Sequence, residues 1–367
     1  PTADAIAAAA QKKWSLDRAQ ILFNASHTHT GPVIRPNLQT MYDLKPEQWA
    51  ALDRYHAALV EKVTNVIGAA LGDLQPARLE YHQGTAAFAS NRRLISGGKV
   101  RNSVNPGGPV DHSVPVVKVS AKNGALRAVL FGYACHNTTL TAEFVQLSGD
   151  YAGFAQAAFE KAHPGTKALF FLGSAGDQNP NPRSKLELAQ QHGAALAKAV
   201  DDALAAKGLE LQGRLKTAFH MADLPFAPRP REDFEKELAG PDKYKQRRAK
   251  EMLRALDSGR PVRSVQYPFQ AIAFGDKVAM LGLGGEVVID YTLAAKKMFP
   301  KHQLMVAAYS NDVMCYISNK RILAEGGYEA DDSMIYYGQP SLAKVGDKIV
   351  LSGFGAGLAW GTALMRW

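Results

Sequence analysis

The sequence predicts an α/β fold with some α+β character: central β-sheets with flanking helices, and an active site at the strand-end loops. One observation behind this prediction is a recurring order of apolar strand, polar or glycine-rich loop, and helix, which is typical of helices packed on a sheet. A second is that the loops richest in reactive side chains directly follow the apolar runs. In such sheets, binding sites gather beyond the strand ends.

Helices are predicted where alanine or other apolar residues recur at helical spacing. They cover residues 2–14, 46–71, 151–162, 186–206 and a segment that ends at Met298. Pro46 suits the first turn of its helix, because the N–H group that proline lacks has no partner there. The stretch 228–263 mixes acidic and basic residues, so we interpret it as a solvated helical insertion.

Strands are predicted at short apolar runs bounded by turn residues. These runs are residues 21–23, 79–89, 114–119, 125–134, 167–172, 270–274, 278–283 and 304–308. Asn123-Gly124 is a strong turn signal and predicts a hairpin, and Gly275-Asp276 predicts a second one. Residues 91–109 are rich in Gly, Asn and Ser and predict a long loop, a kind of segment that is often functional or mobile.

The composition is that of an ordinary globular protein. Of its 367 residues, 46% are hydrophobic and 21% charged, and no apolar run approaches the length of a membrane span. The net charge of +9 is positive, and a basic protein can bind nucleic acid. Many of the basic residues lie in the mixed-charge stretch 228–263, and the chain lacks a basic patch interleaved with aromatic residues. We therefore expect neither a nucleic-acid partner nor a transmembrane segment.

The two cysteines, Cys135 and Cys315, have no CxxC partner. Neither therefore indicates a redox motif or a structural Cys-type zinc site. The sequence does not decide whether one disulfide bond joins them, and we expect both to be buried free thiols.

His27 and His29 are two positions apart, so their rings project to the same side of an extended segment. Neutral imidazoles are common zinc ligands, and catalytic zinc sites keep three protein ligands and a water. A pair of this kind also occurs by chance on protein surfaces, which leaves both interpretations open. The turn residues Thr30-Gly31-Pro32 that follow favour a site.

At three further positions, both a structural and a functional role are consistent with the sequence. His136 ends a predicted strand and is either a hydrogen-bonded structural residue or a ligand. Glu286 follows a run of glycines, where the dipole of the next helix alone would favour a carboxylate. The loop 176–181 is either ordinary turn chemistry or a source of N–H donors for a developing oxyanion.

As an ordered set, these motifs resemble the neutral (non-lysosomal) ceramidases, and more closely the bacterial ceramidase-like proteins with a Gly-Asp-x-Asn-Pro loop. The resemblance covers residues 17–339. It rests on Ser26-His27-Thr28-His29-Thr30-Gly31-Pro32, His136-Asn137-Thr138, Ser148-Gly149-Asp150, Gly176-Asp177 through Asn181, Gly285-Glu286 and the stretch from Ser310-Asn311 to Ser333.

The resemblance implies a zinc-dependent hydrolase that acts on the amide or ester bond of a small acylated substrate. It implies four Zn²⁺ ligands, His27, His136, Glu286 and Tyr316. The match around Tyr316 is looser than the others, because the Thr-Thr and Glu-Glu-Tyr run of the family is not preserved there. A periplasmic or secreted location is also expected, with any signal upstream of Pro1.

The resemblance also implies a set of catalytic residues. His29 would line the pocket and handle protons, Arg92 matches an Asn-Arg motif, and Tyr328 matches a second tyrosine. Asp177 and Asn179 belong to the Gly-Asp loop, and Asn179 stands where true ceramidases have a serine. An amide is no nucleophile, so the metal must activate water itself. The departure puts ceramide as the substrate in question, and a degenerate relative that only binds a ligand is the alternative.

The predicted organisation is one hydrolase domain over residues 1–340, with a truncated start, and a Gly-rich strand segment over 341–367. Residues 344–361 resemble the C-terminus of ketoacyl-carrier-protein synthase III. That resemblance raises a third interpretation, a thiolase-type condensing enzyme. The upstream chain does not match the Cys, His and Asn set of that family, so no activity is assigned to the segment.

Overall fold

The computed structural model describes residues 2–34 and 37–341, together with the backbone of 348–354 and 360–366. Within these residues the helices are α1 Thr2–Trp14, α2 Pro46–Gly72, α3 Asp150–Ala162, α4 Leu186–Ala205, α5 Arg231–Ala239, α6 Lys243–Asp257, α7 Ile289–Met298 and α8 Lys320–Glu325. The strands are β1 Ala77–Thr85, β2 Ala89–Asn91, β3 Arg93–Ser96, β4 Lys99–Asn102, β5 Ser113–Ala121, β6 Leu126–Tyr133, β7 Lys167–Leu172, β8 Gln178–Pro180, β9 Leu209–Leu211, β10 Leu215–Pro225, β11 Ser264–Phe274, β12 Val278–Leu283, β13 Glu286–Val287, β14 Gln303–Ala307, β15 Tyr316–Ile317, β16 Lys348–Phe354 and β17 Trp360–Arg366.

Two sheets form the centre of the fold. The first has the strand order β7-β6-β5-β1-β9, and the second has the order β10-β11-β12-β14. Each sheet combines antiparallel pairs with one parallel pair, β6 with β7 in the first and β12 with β14 in the second. The mixed α/β fold class that the sequence predicts is confirmed.

Strand β5 shows how the layers pack, because its successive side chains point to opposite faces. Val116 belongs to a buried cluster with Tyr151 of α3 and Leu196 of α4. Val117 belongs to another cluster, shared with Met280 of the second sheet. The first sheet is therefore covered by helices on one face and by the second sheet on the other.

Most predicted elements are present, and the differences have local causes. Residues 21–23 do not form a strand: only a single bridge joins Asn24 to Ser310, and the side chain of Gln270 donates to the carbonyl of Ile21. The predicted loop 91–109 contains the hairpin of β3 and β4. Strand β10 was not predicted, because most of its side chains are exposed or half-buried and its sequence shows no apolar run.

The charged insertion is helical, as predicted, but it has a small core of its own. Phe234, Ala249, Met252 and Leu253 form a separate buried cluster between α5 and α6. In the C-terminal segment, β16 and β17 pair antiparallel, while residues 342–347, 355–359 and 367, which carry part of the synthase resemblance, lie outside the described residues. The predicted domain boundary near residue 340 stays a prediction.

Two expectations about the whole chain can be compared with the fold. Cys135 and Cys315 are buried free thiols, so no bridge joins them. Among the described residues, no helix is both long enough and apolar enough to cross a membrane.

Candidate metal centre

The chemically reactive side chains converge where strands of both sheets end. His136 lies three residues beyond the end of β6, and Glu286 begins β13 after the β11–β12 hairpin. Glu286 and Tyr316 are directly paired neighbours in the parallel pair of β13 and β15. Residues far apart in the sequence therefore meet because their strands end at the same place.

Arg92 and Asn179 are brought together by a short antiparallel pair. Strand β2 pairs with β8, which places Ser90 opposite Asn179. The N–H of Arg92 then donates to the carbonyl of Asp177 at 2.9 Å. Backbone hydrogen bonds thus hold the Asn-Arg motif beside the Gly-Asp loop, although Asn91 and Asp177 are 86 positions apart in the chain.

Three histidines form the core of the site. The ring nitrogens of His27, His29 and His136 that can bind a metal all lie within 4.8 Å of one another. The Nε2 atoms of His27 and His29 are 3.2 Å apart. Glu286 Oε2 lies 3.2 Å from His27 Nε2 and 3.0 Å from His136 Nε2.

These separations suit a zinc ion. Ligand atoms about 2.0–2.1 Å from a tetrahedral zinc are roughly 3.4 Å apart, close to the spacing that Glu286 Oε2 keeps from both imidazoles. Imidazole nitrogens with one carboxylate are also a donor set that zinc takes in catalytic sites. The residues present therefore fit the metal that the sequence predicts.

His136 is held in the orientation that a ligand needs. Its Nδ1 lies 2.5 Å from the carbonyl oxygen of Ala175 and 3.2 Å from that of Gln178. A proton on Nδ1 would be donated to these carbonyls, which leaves the lone pair of Nε2 free to bind a metal. Complete burial, and then the charge of Arg92, lower the pKa of His136 to about 4, which favours the neutral ring.

His29 lies on the open side of the cluster. Its side chain is exposed, yet crowding of its ring by protein atoms, and then the charges of His27 and His136, lower its pKa to about 3. The ring is therefore neutral near neutral pH, which leaves a nitrogen lone pair that could bind a metal or accept a hydrogen bond from water. The geometry alone leaves both roles to His29.

Two tyrosines that the sequence analysis did not assign to the site hold Glu286. The hydroxyl of Tyr309 donates to Glu286 Oε2 at 3.3 Å, and the hydroxyl of Tyr337 donates to Oε1. Tyr309 directly follows a predicted strand, and that position was the only local signal for it. Tyr337 follows a short 3-10 turn and carries no comparable signal.

Backbone conformation at the cluster is unusual. His27 and Tyr309 both have φ of 53°, in the left-handed region that non-glycine residues rarely adopt. Their rings lie 4.8 Å apart. Such conformations cost free energy and persist where the surroundings impose them, which is common at functional sites.

Arg92 connects the remaining predicted site residues. Its buried guanidinium donates from Nη1 to Asn179 Oδ1 at 3.2 Å and from Nη2 to the hydroxyl of Tyr316 at 3.0 Å. Its centre lies 5.9 Å from the ring of Tyr328. Its Nε donates to Glu329 at 2.8 Å, a partner that the sequence analysis missed because nothing local marks it.

Asp177 has contacts of a different kind. One carboxylate oxygen accepts from the side chain of Asn91 at 2.8 Å, and the other accepts from the N–H of Ile289 at 2.9 Å. Ile289 is the first residue of α7, so Asp177 ties this loop to the start of that helix. Complete burial raises the pKa of Asp177.

Comparison with known proteins points to one family. The family model described as neutral/alkaline non-lysosomal ceramidase, N-terminal, matches residues 4–200. The chain is 28% identical to the neutral ceramidase of Pseudomonas aeruginosa over 169 residues, which are 45% of this chain and 25% of that protein.

Two solved structures have a similar fold. A crystal structure of neutral ceramidase from Pseudomonas aeruginosa superposes with a TM-score of 0.67 at 19% identity, covering 89% of this chain and 60% of that one. A structure described as ceramidase complexed with C2 gives a TM-score of 0.68 at 18% identity, covering 93% and 62%. The chain thus spans about three fifths of the solved chains, and the likeness concerns the fold.

Proposed function

The chain belongs to the neutral/alkaline non-lysosomal ceramidase family, and from that premise we propose that it is a zinc-dependent hydrolase of an acyl amide or ester bond. The observation that carries the proposal is the position of Glu286 Oε2, 3.2 Å from His27 Nε2 and 3.0 Å from His136 Nε2. Zinc bound there would act as a Lewis acid and lower the pKa of a water molecule toward about 7.

The proposed ligands are His27, His136, Glu286 and Tyr316. The two imidazoles would bind through Nε2 and the carboxylate through Oε2, in keeping with their separations. Tyr316 lies beside Glu286 in the strand pair. Its hydroxyl accepts a hydrogen bond from Arg92. Burial, and then the charge of Glu286, raise the pKa of this hydroxyl well above its ordinary value, and the charge of Arg92 opposes that shift.

The remaining site residues have proposed roles in moving protons and stabilising charge. His29, on the open side of the cluster, would take a proton from water and deliver it to the leaving nitrogen or oxygen. Arg92 and Tyr328, whose ring lies 5.9 Å from the guanidinium, would stabilise negative charge that develops on the carbonyl oxygen. Asp177 would act indirectly, by holding the loop that carries Asn179.

Asn179 determines the type of mechanism. Its amide cannot attack a carbonyl, so hydrolysis would proceed without a covalent acyl-enzyme. Its Oδ1 accepts from Arg92, and its Nδ2 donates to Asn102, so its supported role is to position Arg92. The name of the Pseudomonas aeruginosa relative, neutral ceramidase, makes N-acylated lipids the first substrates to test. Because Asn179 stands in place of the family serine, ceramide itself is only one candidate among these substrates.

Metal analysis and a substrate panel test the proposal. We expect protein purified without chelators to carry about one zinc per chain and to hydrolyse at least one amide or ester. A chelator should abolish this activity and added zinc should restore it. His27→Ala should lose both, whereas His163→Ala, which alters a histidine paired with Asp201 outside the cluster, should lose neither.

The proposal fails if zinc stays absent after reloading and His27→Ala behaves like the parent protein. A non-catalytic relative that binds an acylated ligand is the second candidate, and the amide at position 179 favours it. Chelator-sensitive turnover of any panel member would exclude that candidate. The expected periplasmic or secreted location is part of the proposal, and fractionation of the producing cells tests it.

A further inference from the structure

A cavity is lined in part by two of the proposed site residues, Arg92 and Asn179. It has a volume of about 170 Å³ and is lined mainly by polar side chains, including those of Arg92, Asn102, Asn179, Asn181 and Arg183. Pockets that enclose a whole drug-sized ligand are usually about 300–1,000 Å³. This cavity is therefore of a size to hold a small polar group and not an acyl chain.

The cavity shares a wall with the candidate metal centre. Arg92 donates to the hydroxyl of Tyr316, a proposed metal ligand, and also to Oδ1 of Asn179, which lines the cavity. Asn179 in turn donates to Asn102, which lies at the end of β4. A ligand that contacts Arg92 and Asn179 in the cavity would therefore sit next to the place where an acyl bond is proposed to be cleaved.

The charges around the cavity are not balanced. The guanidinium of Arg92 is paired with Glu329. No ion pair among the described residues joins Arg183 to a carboxylate, although Arg183 is close enough to Arg92 for the two charges to interact. Partial burial, and then the charge of Arg92, lower the pKa of Arg183. Arg183 is nevertheless exposed, so the cavity presents to solvent one guanidinium without a carboxylate partner, beside amide groups.

We propose that this cavity is a subsite for an anionic group, a carboxylate or a phosphate, carried by the acylated substrate near its scissile bond. Arginine is suited to such groups, because its planar N–H donors match two oxygens of a carboxylate or phosphate at once. The amides of Asn102 and Asn181 supply further donors. This inference rests on the proposed hydrolase function and narrows its substrate class.

Three substrates with the same acyl chain test the inference. N-octanoylethanolamine is neutral, its O-phosphate ester carries a phosphate, and N-octanoylglycine carries a carboxylate. We expect kcat/KM to be about tenfold or more higher for at least one anionic compound than for the neutral one, since one hydrogen bond to a charged group accounts for that factor. The two anionic compounds distinguish a carboxylate from a phosphate as the natural group.

Arg183→Gln should remove this preference by lowering kcat/KM for the anionic compounds alone. Arg101→Gln is the matched control, because Arg101 is an exposed arginine on β4 that does not line the cavity. Equal kcat/KM for neutral and anionic substrates, or a preference that survives Arg183→Gln, would overturn the inference while leaving zinc-dependent hydrolysis intact.

Binding to zinc-depleted protein separates this inference from the proposed function. Isothermal titration calorimetry should show tighter binding of the preferred anionic compound than of N-octanoylethanolamine, and Arg183→Gln should abolish the difference. If none of the compounds is hydrolysed, the hydrolase proposal fails for this class, and the calorimetric comparison still decides whether the cavity binds anions. Equal affinities in the parent and Arg183→Gln would reject it.

Discussion

The carboxylate of Glu329 accepts a 2.8 Å hydrogen bond from Nε of Arg92, 237 positions earlier in the chain. Its second oxygen accepts from Arg93 at 2.5 Å, and its side chain is only 3% exposed. The pair fixes the guanidinium that contacts Asn179 and Tyr316. Glu329 is therefore a positioning residue for the proposed site.

Replacing Glu329 should lower both stability and activity. Glu329→Gln leaves two buried guanidinium groups without their shared carboxylate, and loss of one partner of a buried pair costs about 3–5 kcal/mol. Chemical unfolding measures this free energy, and kcat should fall with little change in zinc content. Glu325→Gln is the control: that carboxylate is 20% exposed, and its loss should cost less. Equal effects of the two variants would contradict the prediction.

The same carboxylate should make stability depend on pH. Burial alone would raise the pKa of Glu329, but Arg92 and Arg93 hold it below its ordinary value. A depressed pKa contributes stability above the unfolded pKa of about 4.3, and this contribution is lost as pH falls through the folded value.

The free energy of unfolding should therefore fall more steeply with acid below about pH 4 in the parent than in Glu329→Gln. Unfolding curves measured at a series of pH values give the two slopes. Asp202→Asn, which removes an exposed carboxylate paired with Lys198, should keep the slope of the parent. Identical slopes for the parent and Glu329→Gln would rule out this origin of the acid sensitivity.

The two histidines of the His-Thr-His segment should have separable roles. His27→Ala removes a nitrogen that faces Glu286 at 3.2 Å and should abolish zinc binding. His29→Ala should retain about one zinc per chain and lose about 10²–10⁴-fold in kcat, the usual contribution of general acid–base catalysis. Metal analysis and steady-state kinetics on both variants check this. Loss of zinc from His29→Ala would show instead that His29 is a ligand.

With asparagine at position 179, hydrolysis should proceed without a covalent acyl-enzyme. Intact-mass spectrometry of the protein during turnover of an acyl substrate should show no acyl adduct, since an amide side chain is not a nucleophile. Asn179→Ala should retain zinc but lower kcat, because Arg92 loses the oxygen that accepts from its Nη1 at 3.2 Å. An acyl adduct on the parent protein would identify a nucleophile that the present assignment lacks.

The helices and the tight hairpins could be predicted from local patterns. Helix α1 has the predicted bounds, and the turn at Asn123-Gly124 joins β5 and β6 as expected. Both depend on neighbouring residues, through helical spacing in one case and turn conformation in the other. Residues 21–23 failed as a strand because a strand also needs a partner, and an apolar run does not specify one.

The sequence by itself determined which side chains were available to the site and the order in which they occur. His27, His136 and Glu286 were each named from a motif at a strand end, and the structure brings them together. Each was individually ambiguous, because a strand end is also an ordinary position for a structural polar residue.

Only the tertiary structure decided which partners these side chains have. Tyr337 meets Glu286, and Glu329 meets Arg92, across 51 and 237 positions. No local pattern encodes such pairs, because they form only when the two sheets pack and their strand ends converge. The cavity beside Arg183 arises in the same way, from a hairpin and a loop that are distant in the chain and adjacent in the fold.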